Sequence, residues 1–317
     1  MQKKIKIFIL ALVILFGFCF VRDFLVKSLI GTVVTNVTGA PTRVGGLSLS
    51  ILRQSIKISN LKIYNPEGFP NGVLIDIPKI RASGNMFALL GGKVHLKQLD
   101  LEIKEISMVK NKKGKLNVDS LKIANDQADR EEAKKPVKQP ALQIDIFNLG
   151  MGRVVSKDYS SGVEPVIKVY AVNLKKSYKN IVSVQQLVAL IISEPLKAAG
   201  IQGLKMYGVS MLAGVAALPV VAAFTLTGKD HAQETFNVSW QRAYDAGLSA
   251  LKKAGVVKSE DKASGIINAV VDGVDVTLKL KKNSANSTEV TISARKFIFP
   301  QPEIASGVIY RLKEELR

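Results

Sequence analysis

The fold is most constrained by a series of short segments between Val44 and Asn117 in which apolar and polar residues alternate. Because successive side chains of a strand point to opposite sides of a sheet, this alternation predicts antiparallel-type strands with one apolar and one polar side. We therefore expect a β-rich sheet in this part of the chain. The apolar positions are Ile56, Ile58, Leu61, Ile63, Val73, Ile75, Ile77, Leu99, Leu101 and Ile103.

The alternation changes phase within the second of these segments. Apolar residues move from even to odd positions across Ser59 and Asn60. A shift of one residue sends every following side chain to the other side of a sheet, so the change predicts a bulge or a short turn if the same side stays buried. Pro78, which has no backbone N–H, marks an edge or an end of the next segment.

The N-terminus carries an uninterrupted apolar run from Ile7 to Val21, with lysines before it and Arg22 after it. As a helix the run spans about 22 Å, and snorkelling charges with apolar flanks could extend it toward a hydrocarbon core of about 30 Å. A cleaved signal peptide is the alternative, but the nearest small-x-small pair, Gly17-Phe18-Cys19, lies inside the run. We favour an uncleaved single-pass anchor over residues 7–26, with the N-terminus in the cytoplasm.

The charge balance points to anionic partners. The 317 residues include 45 Lys plus Arg against 26 Asp plus Glu, a net charge of +19. Nucleic acid, phospholipid headgroups and lipopolysaccharide phosphates all fit this sign. With the chain from about Lys27 onward outside the cytoplasm, membrane lipid is favoured and no nucleic acid partner is expected. Cys19 is the only cysteine, so no intrachain disulfide forms.

Three turn-rich stretches carry a family resemblance. They are Asn65-Pro66-Glu67-Gly68-Phe69, Gly91-Gly92-Lys93-Val94 and the stretch from Lys113 to Leu121. In this order behind an anchor, together with Pro41 to Leu47, they resemble the N-terminal module of AsmA-like envelope proteins, and the likeness extends to about Gly200. The resemblance implies an inner-membrane anchor and a bulk of the chain in the periplasm. It also implies a curled antiparallel sheet of repeats with an apolar concave side and a role in envelope lipid homeostasis.

On this interpretation, the apolar positions named above, with Ile144 and Ile146, are lipid-contact candidates. The same alternation occurs in any β-protein whose sheet is covered by a helix, so a closed core is the alternative to an open lipid groove. Two functions follow. One is binding or moving phospholipid or other lipid in cell-envelope and outer-membrane biogenesis. The other is a membrane-tethered scaffold or adaptor that binds another envelope protein and has no lipid groove.

The predicted organisation has five parts. They are an anchor at 1–26, an AsmA-like strand module at 27–121, an exposed charged linker at 122–140, a second strand module with helices at 141–226, and an α+β domain at 227–317.

Within the second module, Gly150 and Gly152 predict a tight turn, residues 166–174 predict a strand, and Ser183 predicts the N-cap of a helix that Pro195 interrupts.

The stretch from Val209 to Leu226 contains no charge and reaches the lower length limit for a second membrane span. Its alanines, Gly214 and Pro219 contribute little transfer energy, so we favour a buried or interface-lying helix.

The C-terminal block has the clearest local signals. Ser239 and Gly255 bracket an amphipathic helix, Asp272-Gly273 predicts a two-residue hairpin, and a final helix follows Pro300. The order strand, helix, three strands, helix predicts a small α+β sandwich. The block resembles a small domain of unknown function found in short exported bacterial proteins.

The sequence offers no chemistry that we can assign. His95 and His231 lie in different blocks without a metal-ligand partner at helical spacing, and neither a nucleophile elbow nor a phosphate-binding loop is present. We therefore predict a binding protein rather than an enzyme, with no catalytic residues, metal or cofactor.

Overall fold

The computed structural model describes residues 30–32, 34–50, 53–84, 94–122, 142–200, 216–218 and 231–317. The predicted anchor at 7–26 lies outside the described residues, as does the predicted linker apart from Lys122. Within the described ranges, no helix combines the length and the apolar character needed to cross a membrane.

The chain divides into two compact units. The first contains Met1–Glu105, Val118–Gly152 and Asn173–Ala222, and the second contains Ile106–Asn117, Arg153–Val172 and Ala223–Arg317. The predicted C-terminal domain at 227–317 is thus joined in its unit by two earlier stretches.

Seven strands, consecutive in sequence, are also consecutive neighbours in one open sheet, so the two predicted strand modules contribute to a single sheet. The strands are β1 (Thr42–Ser50), β2 (Ser55–Tyr64), β3 (Val73–Gly84), β4 (Val94–Lys110), β5 (Leu142–Asp158), β6 (Val166–Ile181) and β7 (Ala216–Leu218).

The pairing of β4 with β5 corrects the all-antiparallel expectation. In order along both strands, the side-chain pairs that join them are His95–Asp145, Asp100–Asn148 and Lys110–Asp158. Because the residue numbers of both partners increase from one pair to the next, β4 and β5 run parallel. Parallel neighbours need a crossover of a dozen or more residues, and the stretch of sequence between Lys110 and Leu142 is long enough for one. By contrast, β1–β2, β2–β3 and β6–β7 are antiparallel.

The phase change at Asn60 occurs inside one continuous strand. Asn60 has φ 52°, while β2 keeps its register with β1 and β3 on both sides of it. Gly45 lies opposite on β1, where a Cβ would come within 2.7 Å of the Asn60 Cβ, and Pro78 lies opposite on β3. The predicted bulge or turn therefore takes the form of a left-handed residue that reorients the strand, and Ile58 and Leu61 are both buried.

The predicted turn at Gly150 and Gly152 is wrong, because β5 runs through both residues. A Cβ on Gly152 would lie 2.7 Å from the Lys104 carbonyl oxygen of the neighbouring strand. These glycines allow the backbones of β4 and β5 to approach closely, and the chain does not change direction at them.

Helix α1 (Val184–Ala198) begins as predicted, since the Gln186 N–H donates to the Ser183 Oγ at 3.1 Å. It runs through Pro195 to Ala198 instead of being interrupted. Pro195 lies in the last turn, where its missing N–H removes only one helical hydrogen bond. Ala216–Leu218 form a strand, which contradicts the helix predicted for 209–226 at these three residues; most of that stretch lies outside the described residues.

The C-terminal sheet follows the predicted α+β plan with two added short strands, β9 and β13. Its elements are β8 (His231–Phe236), α2 (Trp240–Ala254), β9 (Val256–Asp261), β10 (Ile266–Val271), β11 (Val274–Ser284), β12 (Ser287–Lys296), β13 (Phe299–Pro300) and α3 (Pro302–Glu315). The order is β9-β10-β11-β12, and β12 pairs on its other edge with β8 and β13. The predicted hairpin is present, with Val271 opposite Val274 and both turn residues left-handed.

Candidate functional site

The predicted lipid contacts lie mostly in the interior. Nine of the twelve are at most 9% exposed, and the other three, Ile56, Val73 and Ile146, are half-buried. The nine buried candidates are Ile58, Leu61, Ile63, Ile75, Ile77, Leu99, Leu101, Ile103 and Ile144. We call the side of the seven-stranded sheet that carries these residues the apolar side.

Cross-strand register shows that these positions share one side of the sheet. Leu61 lies directly opposite Val44 on β1 and Ile77 on β3, and Ile63 lies opposite Ile75. Directly paired residues in an antiparallel ladder point to the same side. The apolar side therefore continues without a break across the first three strands.

Helix α1 contributes to the cover of the apolar side near β5 and β6. The Phe147 and Tyr178 rings of these strands stack with centroids 6.1 Å apart, and both are buried. From α1, Glu194 pairs with Lys176 of β6, and the buried Tyr178 hydroxyl lies beside the Glu194 carboxylate. A charged residue thus takes part in the contact between helix and sheet.

The pKa values of Glu194 and Tyr178 are shifted in the directions that favour the ion pair with Lys176. Burial opposes ionisation of Glu194, but the hydrogen bond and positive charge of Lys176 outweigh it and hold the pKa of Glu194 below its ordinary value. Burial, and then the charge of Glu194, raise the pKa of Tyr178. Glu194 is therefore ionised and Tyr178 neutral near pH 7.

The opposite, polar side of the sheet carries a hydrogen-bond network. Gln98 and Asn148 each donate to Asp100 Oδ1 at 2.7 Å, and Asn148 also contacts the Ser177 hydroxyl. Outside this network, at the N-terminal ends of β4 and β5, His95 Nε2 lies 3.0 Å from Asp145 Oδ2, and the hydrogen bond from His95 lowers the pKa of Asp145.

A groove of about 660 Å³ lies over this network, lined by Arg81 and by residues of β4, β5 and β6. Gly150 and Gly152 help to form the groove, because a glycine has no side chain to fill the space above β5. Its charged lining includes Arg81, Lys175, Asp100 and Glu102. Such a lining can pair with a charged group and donate hydrogen bonds to it.

Within the described residues, no group of three or more His, Cys, Asp or Glu is placed to hold a metal ion. No protein-family model matches the sequence, and no curated protein matches it either. The AsmA-like resemblance therefore stays a prediction.

Sequence reasoning missed Glu194 and the groove. Glu194 follows Leu187 by seven positions and Ile191 by three, so it lies on the apolar stripe of α1. A lone carboxylate on such a stripe is a signal for a buried charge with a partner. The groove had no comparable signal, because two glycines in the sequence indicate a turn as readily as a close contact between strands.

Proposed function

We propose that this chain is an inner-membrane-tethered periplasmic protein of the AsmA-like class, which binds lipid and helps to move it along the apolar side of its seven-stranded sheet. The single observation that supports this proposal is the unbroken apolar side formed by paired residues such as Leu61 and Ile77. A row of apolar side chains that continues from strand to strand is the surface that acyl chains require.

Lipid binding on this side requires the cover to open, because nine of the twelve candidate positions are buried. The contact between α1 and β6 is the part of the cover that can be identified in the described residues. We therefore expect bound lipid to displace or slide beside α1.

Site-specific photocrosslinking of the full-length chain in bacterial membranes tests the proposal. Benzoylphenylalanine at Leu101 places the probe on the apolar side, and the same probe at Glu102 places it on the polar side one residue away. We expect lipid adducts, identified by mass spectrometry, at position 101 and few at position 102. Equal labelling, or none at 101, contradicts lipid binding on this side.

The burial of the nine candidates favours a second candidate function, a membrane-tethered scaffold with a closed core. In that case the probe at 101 crosslinks within the chain. Probes on the exposed surface then trap one stoichiometric envelope protein and no lipid.

A further inference from the structure

The hairpin between β12 and β13 presents three consecutive large apolar side chains to solvent. Arg295 pairs with Pro300 and Lys296 with Phe299, which leaves Phe297 and Ile298 as a two-residue turn. Phe297 is 87% exposed, Ile298 79% and Phe299 65%. We call these three residues the aromatic tip. In the described part of the chain, they are the only exposed large apolar residues that are consecutive.

The backbone at this turn is unfavourable for the residue it carries. Phe297 has φ 56°, a left-handed conformation that Gly or Asn adopts readily and that is an outlier for a bulky side chain. Another two-residue turn of the same unit, Asp272-Gly273, places left-handed residues of suitable type at φ 52° and 72°. An aromatic residue at position 297 thus costs stability and gains no packing, which indicates a role outside the unit.

The aromatic tip is held firmly in place. β12 pairs with β11 on one edge and with β8 on the other. On the far side of the turn, the Gln301 N–H donates to the Ala294 carbonyl at 2.8 Å, and α3 begins at Pro302. The backbone that carries the three exposed side chains is therefore held by hydrogen bonds on both sides of the turn.

We infer that the aromatic tip inserts into the interfacial region of an anionic lipid bilayer. Aromatic side chains with cationic neighbours suit the headgroup level of a membrane. Arg295 and Lys296 are exposed at the base of the hairpin. Because Asp275 lies opposite Arg295 on β11, Lys296 is the cation that we expect to contribute most.

The small size of the aromatic tip favours a bilayer over a protein partner. A stable protein interface buries about 800 Å² on each side and involves roughly 20–30 residues. Three protruding side chains fall well short of that, whereas insertion into a bilayer needs no matching surface. The inference goes beyond the proposed function, because it concerns the C-terminal unit and does not depend on lipid binding by the sheet.

An environment-sensitive fluorophore tests this contact in the full-length chain in proteoliposomes. Ile298→Cys, in a Cys19→Ser background, carries the label at the tip, and Ala285→Cys carries it at the exposed turn between β11 and β12. We expect a blue shift and quenching by spin-labelled lipid at position 298, and neither at position 285. The effect should be strong in vesicles that contain phosphatidylglycerol and weak in phosphatidylcholine alone.

Two further variants give the expected magnitude. Phe297→Ser with Phe299→Ser should reduce the inserted fraction by about tenfold or more, and Lys296→Glu should reduce it severalfold in anionic vesicles only. A label at 298 that is as water-exposed as the label at 285 in anionic vesicles overturns the inference. So does burial of the label that depends on protein concentration and not on lipid. Either result leaves the crosslinking test at Leu101 unaffected.

Discussion

The two sheets differ in the contacts that cover their apolar sides. In the C-terminal sheet, α2 fits closely through small residues: Ala243 and Ala250 are fully buried, and a Cβ on Gly247 would lie 3.0 Å from Leu278 Cδ1. In the seven-stranded sheet, the contact with α1 includes the ion pair of Glu194 with Lys176. Because the Lys176 side chain is 41% exposed, water screens this ion pair, which contributes less than apolar packing of similar volume. The difference indicates a permanent core in the C-terminal sheet and a cover that can open in the other.

The largest expected effect comes from removing a core side chain in each cover. Leu251 of α2 is fully buried, and Leu251→Ala should lower the free energy of unfolding of the second unit by about 2–5 kcal/mol in urea titrations. Leu190 of α1 is 1% exposed, and Leu190→Ala should raise hydrogen exchange across residues 184–198 without unfolding the unit. If Leu190→Ala instead unfolds the whole first unit, the two covers are equally permanent.

The second prediction concerns how closely α3 fits against β6 within the second unit. A Cβ on Gly307 would lie 1.9 Å from the Ile167 carbonyl oxygen, so Gly307→Ala must push the helix away from the strand. We expect a loss of about 1–3 kcal/mol or more in the free energy of unfolding. Ser306→Ala, at the half-buried neighbouring position, is the control and should change it by less than about 0.5 kcal/mol. Equal effects of the two variants would contradict a close backbone contact.

The third prediction uses the pH dependence of the α1 contact. Because the pKa of Glu194 is lowered in the folded state, its contribution is present above the ordinary carboxyl pKa and is lost as pH falls through the folded value. Once the intrinsic pH dependence of amide exchange is corrected for, the protection of the α1 amides should therefore decrease as the medium becomes acidic. Glu194→Gln should weaken the contact by about 1–3 kcal/mol at pH 7 and abolish this part of the pH dependence.

Lys176→Met is the matched test of the cause. It removes the partner that lowers the pKa of Glu194, so α1 should begin to open at a higher pH than in the unchanged chain. An unchanged pH profile would show that the ion pair does not control the cover.

Local signals in the sequence predicted the local structure well. Ser183 and Ser239 cap helices, and Asp272-Gly273 forms a hairpin, because each depends on the conformational preferences of a few adjacent residues. The turn at Asn65 is also confirmed, with its side chain donating to the Pro70 carbonyl and Gly68 left-handed.

Pairings between distant segments could not be predicted in the same way. Alternation in β4 and β5 says which residues share a side, but not that the chain returns through residues 111–141 to place the two strands parallel. Gly152 is ambiguous for a related reason, since a glycine can mark either a turn or a close backbone contact, and only the Lys104 carbonyl distinguishes them. The groove on the polar side depends on this contact and was missed with it.

The smallest expected effect tests the cost of the aromatic tip against the Asp272-Gly273 turn in the same sheet. Asn adopts the left-handed conformation far more readily than Phe, so Phe297→Asn should stabilise the second unit by about 0.5–1 kcal/mol. Ile298→Asn is the control, because Ile298 is not left-handed and its replacement relieves no strain. We expect the free energy of unfolding to rise for the variant at 297 but not for the one at 298, and fluorophore insertion into anionic vesicles to be lost at 297. That combination would show that Phe297 lowers the stability of the unit and is needed for membrane contact. If Phe297→Asn destabilises the unit, the Phe297 side chain contributes to folding, and the turn no longer indicates an external role.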